Sequence, residues 1–176
     1  VDERSALRVY PYLKPDYMLI TNLSRDSIMR NAHPEYIRDI LTKYIPKETK
    51  LILNADDLIC CGIAPENPRV YFGIEKMDTD VTDCVNLIND LQICPQCHRR
   101  LEYEYRRYNH IGRAYCPHCG FKAPAYDYAG CHVDLDKMRI DVRDAAGIGH
   151  YRLLNESIFN IYNVVSAVAL LREIGY

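Results

Sequence analysis

The sequence predicts an α/β layer with a partly parallel sheet, into which a small zinc ribbon is inserted. Two observations carry this reading: short apolar runs that alternate with a helix of one apolar face, and two CxxC pairs spaced as a ribbon requires. Residues 17–23 (YMLITNL) are an apolar run ending in polar residues, the pattern of a buried strand whose carboxyl end opens on a loop. Pro34 suits the first turn of a helix, where its missing N–H is no loss. Tyr36, Ile37, Ile40, Leu41, Tyr44 and Ile45 then share one face until Pro46 stops the helix. Residues 51–53 make a second strand, halted by Asn54, Ala55, Asp56 and Asp57, and residues 69–74 (RVYFGI) make a third. Over 158–171, the residues Ile158, Ile161, Tyr162, Val165, Val168 and Ala169 recur at helical spacing, so a final helix docks on the sheet.

The composition sets the limits. With 176 residues, 48% of them hydrophobic and 26% charged, the chain can bury an ordinary core. Lys and Arg number 22 against 24 acidic residues, a net charge of −2, which gives no global case for nucleic acid or an anionic membrane. No apolar run approaches the roughly 20 residues of a transmembrane segment, and the start at Val1 is not a signal peptide. A cytoplasmic protein is expected, and the opening without Met suggests a domain excised from a longer chain.

Four of the eight cysteines form the two CxxC pairs. Cys94-Pro-Gln-Cys97 and Cys116-Pro-His-Cys119, the latter followed by Gly120, are two turns that each aim a pair of thiolates at one centre. Together they can close a tetrahedral sulfur shell around Zn, with bonds of about 2.3 Å. The alternative, a pair of redox dithiols, lacks the βαβ setting such motifs occupy. His98 and His118 are bystanders to a shell that four thiolates complete, while Cys60, Cys61, Cys84 and Cys131 read as small buried apolar residues or unremarkable thiols. A closed shell of this kind leaves no position for substrate.

Between the pairs lie Arg99, Arg100, Arg106, Arg107 and Arg113, interleaved with Tyr103, Tyr105, Tyr108 and Tyr115. Leu101, Tyr103 and Tyr105 alternate with Glu102, Glu104 and Arg106, the period of a half-exposed hairpin strand, which favours packing over nucleic-acid binding. Three polar clusters sit at strand ends or on the last helix. They are residues 21–30 with Asp26 and Arg30 four apart, the Asn54–Asp57 turn, and Asn160 with Asn163 on the final helix. Singly, each has an ordinary explanation as an ion pair, a turn or a cap.

In chain order these clusters resemble the Mur ligases, ATP-dependent amide-forming enzymes of peptidoglycan synthesis. TNLSRD at 21–26 followed by Arg30 is similar to their TN-x-x-x-D-x-x-x-R segment, and LNADD at 53–57 to their strand end. Phe159, Asn160, Ile161, Tyr162 and Asn163 are similar to their N-x-x-N helix start, and Val1, Asp2 and Glu3 to the tail of an acidic segment. Arg25 before Asp26, the style of the final helix and the four-cysteine insert resemble the branch of the family that amidates lipid II.

The resemblance implies a P-loop-type central-domain layer over 1–90, a ribbon insert over 91–125, and a return to the central domain over 126–176. No GxxxxGK[ST] string occurs, so a central-domain fragment without the phosphate loop, inactive alone, is expected. In the full-length protein the resemblance implies ATP and Mg beside the structural Zn. Asp26 and Arg30 are then the catalytic pair on the metal and phosphate side, and Asn22, Asn160 and Asn163 belong to the nucleotide side, with Asn163 against adenine. Ser27 stands where many relatives place a metal-binding His, and no lysine near Lys43 is assigned the carbamylated role. The implied reaction activates the α-carboxyl of D-glutamate in lipid II as an acyl phosphate, which ammonia from a GatD-type glutaminase subunit converts to D-isoglutamine. The competing reading is a zinc-ribbon module for nucleic acid or protein contacts on a catalytically silent Mur-like scaffold.

Overall fold

The computed structural model describes residues 5–24, 34–83 and 91–176. In chain order its elements are α1 (Ala6–Val9), β1 (Tyr17–Ile20), α2 (Pro34–Tyr44), β2 (Lys50–Asn54), α3 (Leu58–Cys61), β3 (Arg69–Ile74), β4 (Glu102–Tyr108), β5 (Ile111–Tyr115), β6 (Tyr128–Asp134), β7 (Arg139–Asp144), β8 (Gly147–Arg152) and α4 (Ile158–Glu173). One six-stranded sheet has the order β1-β2-β3-β6-β7-β8, and β4 with β5 forms a separate two-stranded ribbon. The first four strands run parallel, and β7 and β8 return antiparallel.

β2 shows why this sheet is layered on both faces. Leu51, Ile52 and Leu53 are each 0% exposed, and since side chains alternate across a strand they must enter two different cores. Leu51 and Leu53 pack with Ala6, Ile37, Leu41 and Ile59 of α1, α2 and α3. Ile52 packs on the other face with Phe72, Ile140, Ile161 and Val165, beneath α4. α2 begins at Pro34 and buries Ile37 and Leu41 as its apolar stripe requires, but Tyr36 is exposed. A tyrosine on the shoulder of a helix face can leave its ring in water at little cost.

α4 runs opposite to the parallel strands. Its last turn is tied to the start of β2 by the Lys50–Glu173 ion pair, and its first turn to the end of β2 by the Tyr162 hydroxyl on Asp56. The amino end of α4 therefore lies on the side where β1, β2 and β3 finish. Strands β6, β7 and β8 build the far half of the sheet. β7 alternates buried Ile140 and Val142 with more exposed neighbours, and the two-residue turn to β8 is closed by Asp144 Oδ1, which accepts from the Ala146 and Gly147 amides.

Candidate functional site

The ribbon is built from two copies of one turn. His98 N–H donates to Cys94 O and Gly120 N–H to Cys116 O, each at 3.0 Å. Cys94 N–H then donates to Arg99 O and Cys116 N–H to Phe121 O, each at 2.8 Å. The fifth residue of each turn is left-handed, His98 at φ 57° and Gly120 at φ 76°, which explains the glycine in the second copy. These turns bring the sulfurs of Cys94, Cys97, Cys116 and Cys119 within 4.8 Å of one another. Cys94 Sγ is 3.7 Å from Cys119 Sγ, and Cys97 Sγ is 3.5 Å from Cys116 Sγ. A tetrahedron with Zn–S bonds of about 2.3 Å has edges of about 3.8 Å, so the quartet fits the ion.

The thiol electrostatics point the same way. Burial raises the Cys116 thiol, but the N–H groups of Cys119 and His118, with the neighbouring thiols, bring it down to about 7. An N–H from Phe121 favours the Cys119 thiolate, yet burial and the crowding thiols push it up to about 12. Four sulfurs at this spacing share negative charge only around a cation. His98 and His118 are exposed and contribute no ligand to the cluster. Cys60 and Cys131 are buried and Cys61 half-buried, while Cys84 lies outside the described residues.

The hairpin leaving the cluster departs from simple alternation. Leu101, Tyr103 and Tyr105 are buried and Glu102 and Glu104 exposed as the pattern predicts, but Arg106, expected outside, is only 8% exposed. Register shifts between Tyr103 and Tyr105 and between Arg106 and Tyr108 reset the strand phase, as bulges do. The Arg106 guanidinium lies over the Tyr103 ring, 3.6 Å from its centroid. Arg113 donates to Pro124 O and Ala123 O. Arg106 and Arg113 thus serve the fold, whereas Arg99 and Arg100 are exposed.

The largest consequence of the bulges concerns Arg107, whose side chain is 3% exposed. Its Nη1 donates to Asp56 Oδ2 at 3.0 Å and to the Tyr162 hydroxyl at 2.6 Å. Its Nε and Nη2 reach Asp80 at 3.0 and 3.1 Å, and Nη2 also meets the carbonyls of Ile74 and Glu75 at 2.8 and 2.7 Å. Asp56 in turn accepts from Tyr162 at 2.7 Å, from Ile74 N–H at 3.1 Å and from the Tyr126 hydroxyl. The Tyr126 ring passes close over Gly73, where a Cβ would come within 2.2 Å of it. Asp57 caps α3 through Ile59 N and Cys60 N, accepts from Leu23 N–H at 2.7 Å, and pairs with His110 Nε2 at 3.2 Å. Burial raises the Asp57 carboxyl, but the His110 and Leu23 donors outweigh it and hold it below its ordinary value.

The LNADD strand end is therefore a buried hub as well as a turn. Asp56 and Asp57 are both 0% exposed. Asn54 completes it, its Nδ2 donating to Thr21 O at 2.9 Å and its Oδ1 accepting from Asp56 N–H, which joins the ends of β1 and β2.

Around the hub lie the residues expected at the nucleotide. Asn22 is half-buried in the loop after β1, and Asn160 and Asn163 stand on the first turns of α4. All three are at the carboxyl side of the parallel strands. Asn160 Oδ1 holds the loop before the helix, accepting from Leu154 N–H at 3.1 Å and Asn155 N–H at 3.3 Å, whereas Asn163 is exposed. Phe159, 54% exposed, packs beside them with its ring tilted 57° to that of Tyr108, the centroids 4.9 Å apart. Asp26 and Arg30 lie outside the described residues. Arg107, His110, Tyr126 and Asp80 were not singled out for this hub by the sequence, because only the bulges and the chain crossing bring them to Asp56 and Asp57.

No family model matches the chain. It is 30% identical over 178 aligned residues to the lipid II isoglutaminyl synthase (glutamine-hydrolyzing) subunit MurT of Staphylococcus aureus, covering 99% of this chain and 39% of that protein. The chain thus spans about two fifths of the relative's length. Among solved structures, a pseudomurein peptide ligase type C from Methanothermus fervidus superposes with a TM-score of 0.72 at 27% identity, over 99% of this chain and 34% of that one. A UDP-N-acetylmuramoyl-L-alanyl-D-glutamate–2,6-diaminopimelate ligase shares the fold, with a TM-score of 0.59 at 10% identity, over 100% of this chain and 29% of that one. No helix among the described residues is long and apolar enough to cross a membrane.

Proposed function

We propose that this chain, a member of the Mur ligase family, is part of the ATP-using central domain of an amide-forming ligase that acts on cell-wall precursors. The observation that carries the reading is the whole-chain match to a MurT subunit, in a fold whose strand ends and α4 start meet on one side of the sheet. In open α/β sheets that side is where nucleotides bind. On this reading the full-length protein transfers the γ-phosphoryl of ATP to the α-carboxylate of D-glutamate in lipid II, releasing ADP. Ammonia from a GatD-type glutaminase then attacks the acyl carbon, the C–O bond to phosphate breaks, and the amide nitrogen loses a proton.

The chain's own residues supply positioning. Asn163, exposed at the start of α4, offers the paired donor and acceptor that adenine requires, with Asn160 ordering the loop beside it and Asn22 across the strand ends. Asp26 and Arg30 are assigned to the metal and phosphate side. Cys94, Cys97, Cys116 and Cys119 would hold Zn, which with a closed sulfur shell would brace the ribbon and leave no open position for substrate. A second reading takes its support from the pseudomurein peptide ligase, the 27% identical neighbour: the nucleophile is then an amino acid and no glutaminase is needed. Mass spectrometry of the product, from full-length protein given acceptor, ATP and either ammonium or an amino-acid mixture, separates them. A product about 1 Da lighter than the acceptor is the amide expected here, since NH2 replaces OH in the acyl transfer. An aminoacyl mass supports the second reading, and no ATP-dependent product overturns both.

A further inference from the structure

The hub joins three parts of the molecule that the proposed reaction uses separately. β4 and β5 are the hairpin between the metal turns, β2 ends in Asp56 and Asp57, and α4 carries Asn160 and Asn163. Among the described residues the hairpin reaches Asp56 and Asp57 by three polar contacts, Arg107 to Asp56, His110 to Asp57, and Gly112 N–H to Asp56 O at 2.8 Å, while Tyr108 packs against Phe159 and Tyr162 of α4. Of the three, the Arg107 contact extends furthest, because Tyr162 accepts from Arg107 and donates to Asp56. Tyr162 lies one residue before Asn163, so the rotation of the first turn of α4 about its axis is fixed through the same guanidinium. At its other end the hairpin is rooted in a small cluster of Cys94, Leu101 and Cys116, with Leu58 of α3 packed against it. So small a cluster cannot hold a ribbon unaided.

We propose that Arg107 is a positioning residue which transmits metal-dependent ordering of the ribbon to the end of β2 and to the first turns of α4, and so sets the geometry of the nucleotide pocket. The inference rests on the functional reading for what the pocket binds, but the coupling itself does not. Zinc in this arrangement is more than a local staple: losing it loosens residues whose own contacts to the metal are nil.

Hydrogen–deuterium exchange on the zinc-loaded chain and after zinc removal tests the coupling without any need for activity. Zinc removal should speed exchange by about tenfold or more at 54–57 and 158–163, beyond the ribbon itself, since sub-global opening follows cooperative units. Arg107→Lys keeps the charge but loses the forked geometry. It should make those two segments exchange faster with zinc bound and cut their further response to zinc removal well below that of wild type, the His110, Gly112 and Tyr108 contacts carrying the remainder. Tyr162→Phe, a milder change that preserves the ring packing, should loosen 158–163 and leave 54–57 closer to wild type. Unchanged exchange at 158–163 on zinc removal, or a full zinc response in Arg107→Lys, overturns the proposal. In the full-length ligase Arg107→Lys should raise KM for ATP more than it lowers kcat. An exchange result as expected with no effect on ATP would leave the coupling standing and count against the nucleotide reading alone.

Discussion

Replacing Arg107 by Met keeps most of the buried volume and removes the guanidinium from between two carboxylates, Asp56 and Asp80, whose side chains are both 0% exposed. Breaking a buried pair by removing one partner costs about 3–5 kcal/mol, because the remaining charge is left without compensation in a dry site. Asp56 keeps donors from Tyr162, Tyr126 and Ile74 N–H, and Asp80 keeps Met77 N–H at 2.8 Å, which places the expected loss near the lower part of that range. For a domain of this size about 3 kcal/mol corresponds to a fall in Tm of roughly 10 °C. Urea titration of wild type, Arg107→Met, Asp56→Asn and the double variant measures it directly. The two substitutions should couple by about 2 kcal/mol, since neutralising Asp56 relieves the orphaned charge. A loss below about 1 kcal/mol with additive substitutions would place the pair in the weak class of exposed salt bridges and refute the dry hub.

The purified chain should carry one zinc per chain, read by metal analysis, and Cys94→Ser should unfold the ribbon before the α/β layer; four freely titratable thiols in native protein would contradict this. Stability should fall as the pH drops below about 4. Asp57 and Glu173 are both held below their ordinary values in the fold, so their contribution is present above the unfolded pKa and is lost as they protonate. Urea titrations at neutral and acid pH check this, and Asp57→Asn should flatten the dependence. The chain alone should hydrolyse no ATP above background, because it lacks the amides and lysine of a phosphate loop; sustained hydrolysis would count against the family assignment of its parts.

Local patterns carried the parts of the fold that local physics dictates. The LIL run of β2 is buried on both faces, Pro34 opens α2 and the period of α4 survives intact, since each depends on residues a few positions apart. The four-cysteine cluster was legible for the same reason, its spacing being the geometry of two turns. Strands β6, β7 and β8 were not read, although Ile140 and Val142 alternate with charged neighbours: each strand is short, and glycines at 147 and 149 interrupt the apolar signal of β8. The hub was illegible for a deeper reason. Asp56 meets Arg107, Tyr126 and Tyr162, which lie 51, 70 and 106 residues away in sequence, and an Asn-Asp turn looks the same in sequence whether its carboxylates face water or a buried arginine. Arg106 was read as exposed because strand alternation ignores bulges, and the bulges are what turn Arg107 inward.

The central claim, that the carboxyl side of this sheet and the start of α4 form the nucleotide pocket of an amide ligase, is tested most directly by steady-state kinetics of the full-length enzyme with Asn163→Ala. Asn163 is exposed, so the variant should fold with a melting temperature close to that of wild type. Lost adenine recognition is felt equally in the ground and transition states, so KM for ATP should rise by about tenfold, the equivalent of roughly 1.4 kcal/mol, with kcat preserved. An unchanged KM for ATP in the folded variant would contradict the assignment.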